Sequence, residues 1–500
     1  MFGSLRVLIF CFIFGFLKSS PSHCLERPYI KGLYSLPLTL DPIKMNDTAS
    51  LVAGNLIYDG LLKFSPTLKI EPAIAESWTT SPDGKVLTFK IKSNAKFHNG
   101  LSITAIDVVT SLARALSPES KVQKLYDCID GTNGLRAIND QTIQIKLRHA
   151  FPPILSILAG ATAKILPSKN INDANFFSKP VGSGAFYFDD LNTEKREITV
   201  RAFKNYYGTI PKLASIILRE TNQDVATKQA ALGEMHDLAN WPLATNEPIF
   251  KIGKNISSPV ASTWIIGINS TMPPFDKLEV RHAFKNAINA ESFRLKFYPD
   301  AIPAKGYIPY GLVGSNIHIT RTISKKLLIP KRKIKLVIPI ELSAASDMKI
   351  FFETAMRKYG WNFDVELLPW NKLMEGYSKK SYQSFLVAMN MDYPDPEFLL
   401  KNFESNNPDN FSGIKNKKLD NFIQQSRTQQ DRKIRENLYI ETIKLVEDLA
   451  LTVNLFHPRA NYWVDNCVEG FTPNILSDVY IDYSKVSFKL NCSSRTVVTK

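Results

Sequence analysis

Cysteine is scarce in this sequence, five in 500 residues, and none stands in a Cys-x-x-Cys pair or a His/Cys cluster. A zinc site therefore has no ligand set to draw on. Beyond the N-terminus, no segment reaches the roughly 18 apolar residues of a membrane-spanning helix. No low-complexity tract interrupts the chain, and with 44% hydrophobic residues it reads as folded throughout. Gly-x-Ser-x-Gly, His-Glu-x-x-His and a P-loop are all missing, which removes the usual sequence grounds for hydrolase or nucleotide chemistry. No cofactor is implied. Acidic residues are in deficit, 47 against 62 Lys and Arg, for a formal charge of +15. Such a balance suits acidic ligands, an anionic surface or nucleic acid. The bases are dispersed, however. "KKLLIPKRKIK" (325–335) is the one dense run, and it leads into a strand without interleaved aromatics. A solvated basic surface is expected, not nucleic-acid binding.

What is present begins with Arg6, the apolar run "VLIFCFIFGFL" (7–17), Lys18 and the small residues "SSPS". This is the order of a secretory signal peptide over 1–24, and the run is too short to span a bilayer. Cys24 raises lipid anchoring, but His23 stands where a lipoprotein signal wants a small residue. A chain of 500 residues is too long for one core and predicts two or three domains. Cys467 and Cys492 flank a predicted C-terminal strand pair. An oxidising compartment permits a disulfide between them; two separate buried thiols are the alternative.

The pattern is mixed α/β. Alternating strands are read at 85–97, 141–147, 197–203, 213–220, 262–269, 333–340 and 363–369, with C-terminal strands near 453–464 and 479–490. Helices are read at 104–116, where Thr104 and Asp107 make a capping-box start, and at 345–359. Another is read at 279–293, with Val280, Phe284, Ala287 and Ile288 inward. A fourth spans 431–450, with Ile434, Leu438, Leu445 and Leu449 along one side.

The order of motifs resembles the periplasmic oligopeptide- and dipeptide-binding proteins, the family-5 solute-binding subunits of peptide ABC importers. "LPLTLDPIK" (36–44), "NLIYDGLLKF" (55–64) and the stretch 70–112 carry the first part. "PVGSGAFYF" (180–188), "NYYGTIPKLASIILRE" (205–220), the stretch 267–293, "AKGYIPYG" (304–311) and "MDYPDPEFLLKNF" (391–403) follow in the family's order. Ile106 and Leu101 depart from the family at structural positions. Met389 replaces a Trp that faces the ligand pocket.

The resemblance implies a two-lobed periplasmic-binding-protein fold with a hinge and an extra N-terminal α/β domain. Residues 25–44, 170–265 and 465–500 would form lobe I, 45–169 the extra domain attached to it, and 266–464 lobe II. The crossings near "STWIIGIN" and "LFHPRANYW" would be the hinge. It also implies a periplasmic monomer that hands short peptides to inner-membrane permease subunits with their ATPases.

The three acids of "MDYPDPEF" (391–398) separate on physical grounds. Asp395, Pro396 and Glu397 make an expected helix start of N-cap, N1 and first-turn acid. Asp392 ends a buried strand with no cation close by in sequence, and a carboxylate there wants a charged partner. The resemblance implies that it holds a peptide's α-amino group. It further implies that Ala388, Met389 and Asn390 pair with the peptide backbone, with Tyr34 and Ser35 opposite. Tyr58, Trp241 and Trp370 are read as core residues, and Arg281 and His98 as structural. The partner of the peptide carboxylate stays unassigned. An enzyme using the acids is disfavoured, because one of them is better explained as a helix cap. Family members also bind nickel chelates, haem, glutathione or cell-wall peptides, or serve a sensory role.

Overall fold

The computed structural model describes residues 27–173, 175–239, 252–317, 329–490 and 492. The expected signal peptide, Cys24 and Trp241 lie outside them, as does the start of the 325–335 run.

The β-branched, apolar stretches assemble into two large sheets. The seven-stranded sheet runs in the order Gly253–Pro259, Arg459–Asp465, Asp237–Ala239, Tyr29–Leu33, Ser215–Glu220, Glu197–Ala202 and Phe186–Asn192. The six-stranded sheet runs Ile302–Pro303, Thr452–His457, Ser262–Ile268, Ser384–Asn390, Ile334–Pro339 and Phe363–Leu368. Each forms the core of one lobe. A separate antiparallel sheet of four strands, Ala75–Thr80, Val86–Ile91, Thr142–Lys146 and Leu135–Asn139, carries its own hydrophobic cluster. The architecture is mixed α/β and two-lobed.

The chain passes between the large sheets from Pro259 to Ser262 and from His457 to Arg459. Val260 N–H donates to Pro458 O at 3.0 Å, so the two crossings run side by side. The parallel strands of both sheets aim their carboxyl ends toward these crossings. In one lobe, Asn390 pairs with Ser262. In the other, Ala239 pairs with Tyr462, close to the crossing residue Arg459. Ligands of open α/β sheets sit outside those ends.

Lys31 lies in the middle of the seven-stranded sheet with its side chain fully buried. Its ammonium meets Asp237 at 2.9 Å and Asp478 at 3.6 Å. The Tyr483 hydroxyl donates to the other Asp237 oxygen at 3.1 Å. Burial works against the Lys31 charge, but the two carboxylates outweigh it and hold the pKa above its usual value. The group pins the C-terminal segment to the sheet.

Helix Ala105–Ala115 starts as expected, with Thr104 N–H donating to Asp107 at 2.9 Å. Three expectations need correction. The helix read at 279–293 is two helices, Leu278–Ala287 and Ala290–Phe297. Asn289 accepts the Ser292 N–H at 2.8 Å and starts a new helix. The four residues read as inward are nevertheless all buried. Helix Arg432–Asp448 buries Tyr439, Thr442, Ile443 and Val446, while Ile434 is exposed. The Tyr439 hydroxyl reaches the buried Asp395 carboxylate at 2.6 Å and fixes that rotation. The strand read at 479–490 shrinks to Ser487–Phe488 after two single-turn helices, because side chains such as Asp482 cap local turns instead.

Cys467 and Cys492 form a disulfide with a Cα–Cα distance of 5.5 Å, and Cys128 is a buried free thiol. Among the described residues no helix is long and apolar enough to cross a membrane.

Candidate functional site

The rim of lobe II beside the crossings is built by the end of strand Ser384–Asn390. Its Ser384–Val387 half is buried, Ala388 is half-buried, and Met389 belongs to the lobe's hydrophobic cluster. That packing leaves little of the Met389 side chain for a ligand. Asn390 and Asp392 are exposed beyond it. Tyr34 and Ser35 follow strand Tyr29–Leu33 on the corresponding rim of lobe I and are both exposed. The Glu220 carboxylate accepts the Leu36 N–H at 2.8 Å and shapes the chain just after them.

The acids separate in space as they do in sequence. Asp395 is buried and accepts the Glu397 N–H at 3.0 Å, just ahead of the short helix Glu397–Leu400. Glu397 is buried against Arg427 at 2.8 Å and accepts the Tyr393 hydroxyl at 2.6 Å. Arg427 also binds Glu404 at 2.8 Å. Both acids are therefore held by the protein itself. The Asp392 carboxylate, by contrast, makes no hydrogen bond or ion pair among the described residues. Its side chain reaches solvent, yet enough protein surrounds it to push its pKa up by desolvation, against a smaller opposite pull from Lys401. Lys401 itself sits over the Phe398 ring at 4.5 Å.

Several neighbours of Asp392 escape a linear reading. Tyr393 turns into the hydrophobic cluster of the four-stranded sheet, and Phe398 packs against that cluster. Gln430 donates to Pro82 O at 3.0 Å. The extra sheet thus touches lobe II directly beside Asp392. Tyr480, from the C-terminal segment, lies within electrostatic reach of Asp392 and is pushed to about 12, chiefly by burial. Trp370, read as core, is 47% exposed at the carboxyl end of strand Phe363–Leu368, and Ile340 is exposed after Ile334–Pro339. A proline before Trp370 at a strand end was the available signal. Tyr58 is fully buried and donates to Leu40 O. Arg281 donates to Leu449 O and Phe275 O, and His98 contacts the backbone of Gly182 and Gly184. These three are structural.

A two-lobed fold with paired crossings matches a known group. Residues 69–411 match the model of the bacterial extracellular solute-binding proteins, family 5 Middle. The chain belongs to this family. Family 5 is a family of solute-binding proteins, not of enzymes, and its members work outside the cytoplasm. A curated relative, the glutathione-binding protein GsiB of Escherichia coli (strain K12), is 32% identical over 281 residues, 54% of either chain. The chain spans about half the length of the curated relatives it matches. Among solved structures, the unliganded open form of the periplasmic murein tripeptide-binding protein MppA aligns with TM-score 0.81 and 18% identity, covering 93% of this chain and 97% of that one. DppA of Helicobacter pylori in complex with peptide STSA aligns with TM-score 0.72 and 22% identity, covering 92% and 98%. At these identities the likeness concerns the fold.

Proposed function

We propose that this family-5 protein captures short peptides between its lobes in the periplasm and delivers them, as a monomer, to an ABC permease with its ATPases. The carrying observation is Asp392, a partly desolvated carboxylate just beyond strand Ser384–Asn390 with no hydrogen-bond or ion-pair partner among the described residues. A peptide ammonium is the natural occupant, through a charge-assisted hydrogen bond. Asn390 and Ala388, with Tyr34 and Ser35 across the cleft, would offer backbone groups to an extended ligand by strand addition, and Met389 would offer only its exposed edge. Hinge closure about the paired crossings would enclose the ligand.

The GsiB relative favours a second reading, glutathione in place of a general peptide. Native mass spectrometry of the protein as purified separates the two. A mixture of short peptides supports the first, a single glutathione mass the second, and a non-peptide mass removes both.

A further inference from the structure

A cavity of about 90 Å³ lies where the stretch Asn55–Phe64, Lys164, lobe I and the C-terminal segment meet. Asn55, Asp59, Lys63, Lys164, Tyr480 and Asp482 are among its walls. Lys164 is only 9% exposed, and its ammonium meets an uncharged partner, Asn55 Oδ1 at 2.5 Å. No described carboxylate pairs with it or with Lys63. The two acids in the wall are already engaged. Asp59 accepts hydroxyls from Tyr206 at 2.8 Å and Tyr207 at 2.5 Å. Asp482 is held by Ser484 at 2.5 Å and Lys485 at 3.3 Å. A buried ammonium whose hydrogen-bond partner is neutral is costly. Burial accordingly pushes Lys164 down to about 8, even with Asp59 near enough to favour its charge. Tyr480 joins the cavity to the field of Asp392.

We propose that this cavity is a subsite for a carboxylate of the bound ligand, with Lys164 as its buried cationic partner and Lys63 as a second. Its volume suits a group of a few heavy atoms, such as the end of an acidic side chain, or several waters. The preferred ligand is then an acidic peptide whose ammonium sits at Asp392. Placing the carboxylate within one ligand rests on Asp392 as the amine anchor; the cavity's affinity for a carboxylate does not.

The test is calorimetry with matched tripeptides that differ only by Glu for Gln, on the unmutated protein, Lys164→Met and Lys164→Gln. The unmutated protein should prefer Glu at one position by about 10-fold or more, and both variants should reduce that preference to about twofold or less. A missing preference overturns the proposal, and so does one that survives both variants. If a variant folds poorly, the Glu/Gln comparison on the unmutated protein still decides. If Asp392→Asn leaves peptide affinity unchanged while the Lys164-dependent preference persists, the amine anchor fails and the subsite stands. If no peptide binds, acetate is titrated while the Lys164 ammonium is followed by NMR. A saturable shift supports the subsite, and none at tens of millimolar, the result of a merely water-filled cavity, overturns it.

Discussion

Thr263 Oγ1 and His457 Nδ1 lie 3.0 Å apart, tying together the strand that enters lobe II at one crossing and the strand that leaves it at the other. Both side chains are buried. Desolvation pushes His457 down to about 4, against a smaller opposite effect from Ser262, so the ring is neutral at physiological pH. His98 is pushed to about 4 for the same reason.

The folded protein therefore binds fewer protons at these histidines than the unfolded chain does. Their stabilising contribution is complete above about pH 6.5 and is lost as pH falls toward about 4. The melting temperature should drop across that window. His457→Gln should flatten the drop, because one of the depressed rings is gone. An unchanged pH profile in that variant would show that His457 is not buried neutral.

Lys31→Met should strand Asp237 and Asp478 in the core of lobe I. Removing one partner of a buried ion group costs about 3–5 kcal/mol. Urea unfolding should show that loss, and adding Asp237→Asn to Lys31→Met should recover part of it. Strictly additive losses would mean that the residues do not interact.

The Cys467–Cys492 bond closes a loop with a sequence separation of 25. Chain-entropy estimates for a loop of that size give about 3.5 kcal/mol. Replacing both cysteines by serine should lower the melting temperature. An unchanged melting temperature in the double variant would show that the bond adds nothing to stability.

Local periodicity made much of this fold legible. Strands such as Val86–Ile91 and Thr142–Lys146, and the capped helix Ala105–Ala115, follow from patterns within a dozen residues. What escaped depends on distant partners. The rotation of helix Arg432–Asp448 is set by Asp395. The break before Ala290–Phe297 is a local exception, an Asn289 cap hidden inside a continuous helical pattern. Nothing in "YIKGL" tells that Lys31 is buried, because Asp237 and Asp478 come from elsewhere in the chain. The division of the acidic trio was readable because Asp395 and Glu397 bear a helix-start pattern that Asp392 lacks. The Tyr480 neighbour was not, since only tertiary folding brings it to Asp392.

Asp392→Asn should separate binding from stability. Loss of a charge-assisted hydrogen bond is worth about 1.5–3 kcal/mol, so peptides with a free N-terminus should bind about 10- to 100-fold more weakly to the variant. N-acetylated peptides should bind the unmutated protein as weakly as free ones bind the variant. Because desolvation raises the Asp392 pKa, the folded state disfavours its ionised form. That cost is present at neutral pH and relieved as pH falls through the raised pKa. The ligand-free variant should therefore melt slightly higher than the unmutated protein at neutral pH, and the gap should close in acid. Peptide affinity of the unmutated protein should fall over the same acidic range, as the carboxylate takes up a proton and loses its hold on the ammonium. Calorimetry showing equal affinity for free and acetylated peptides would remove Asp392 as the anchor.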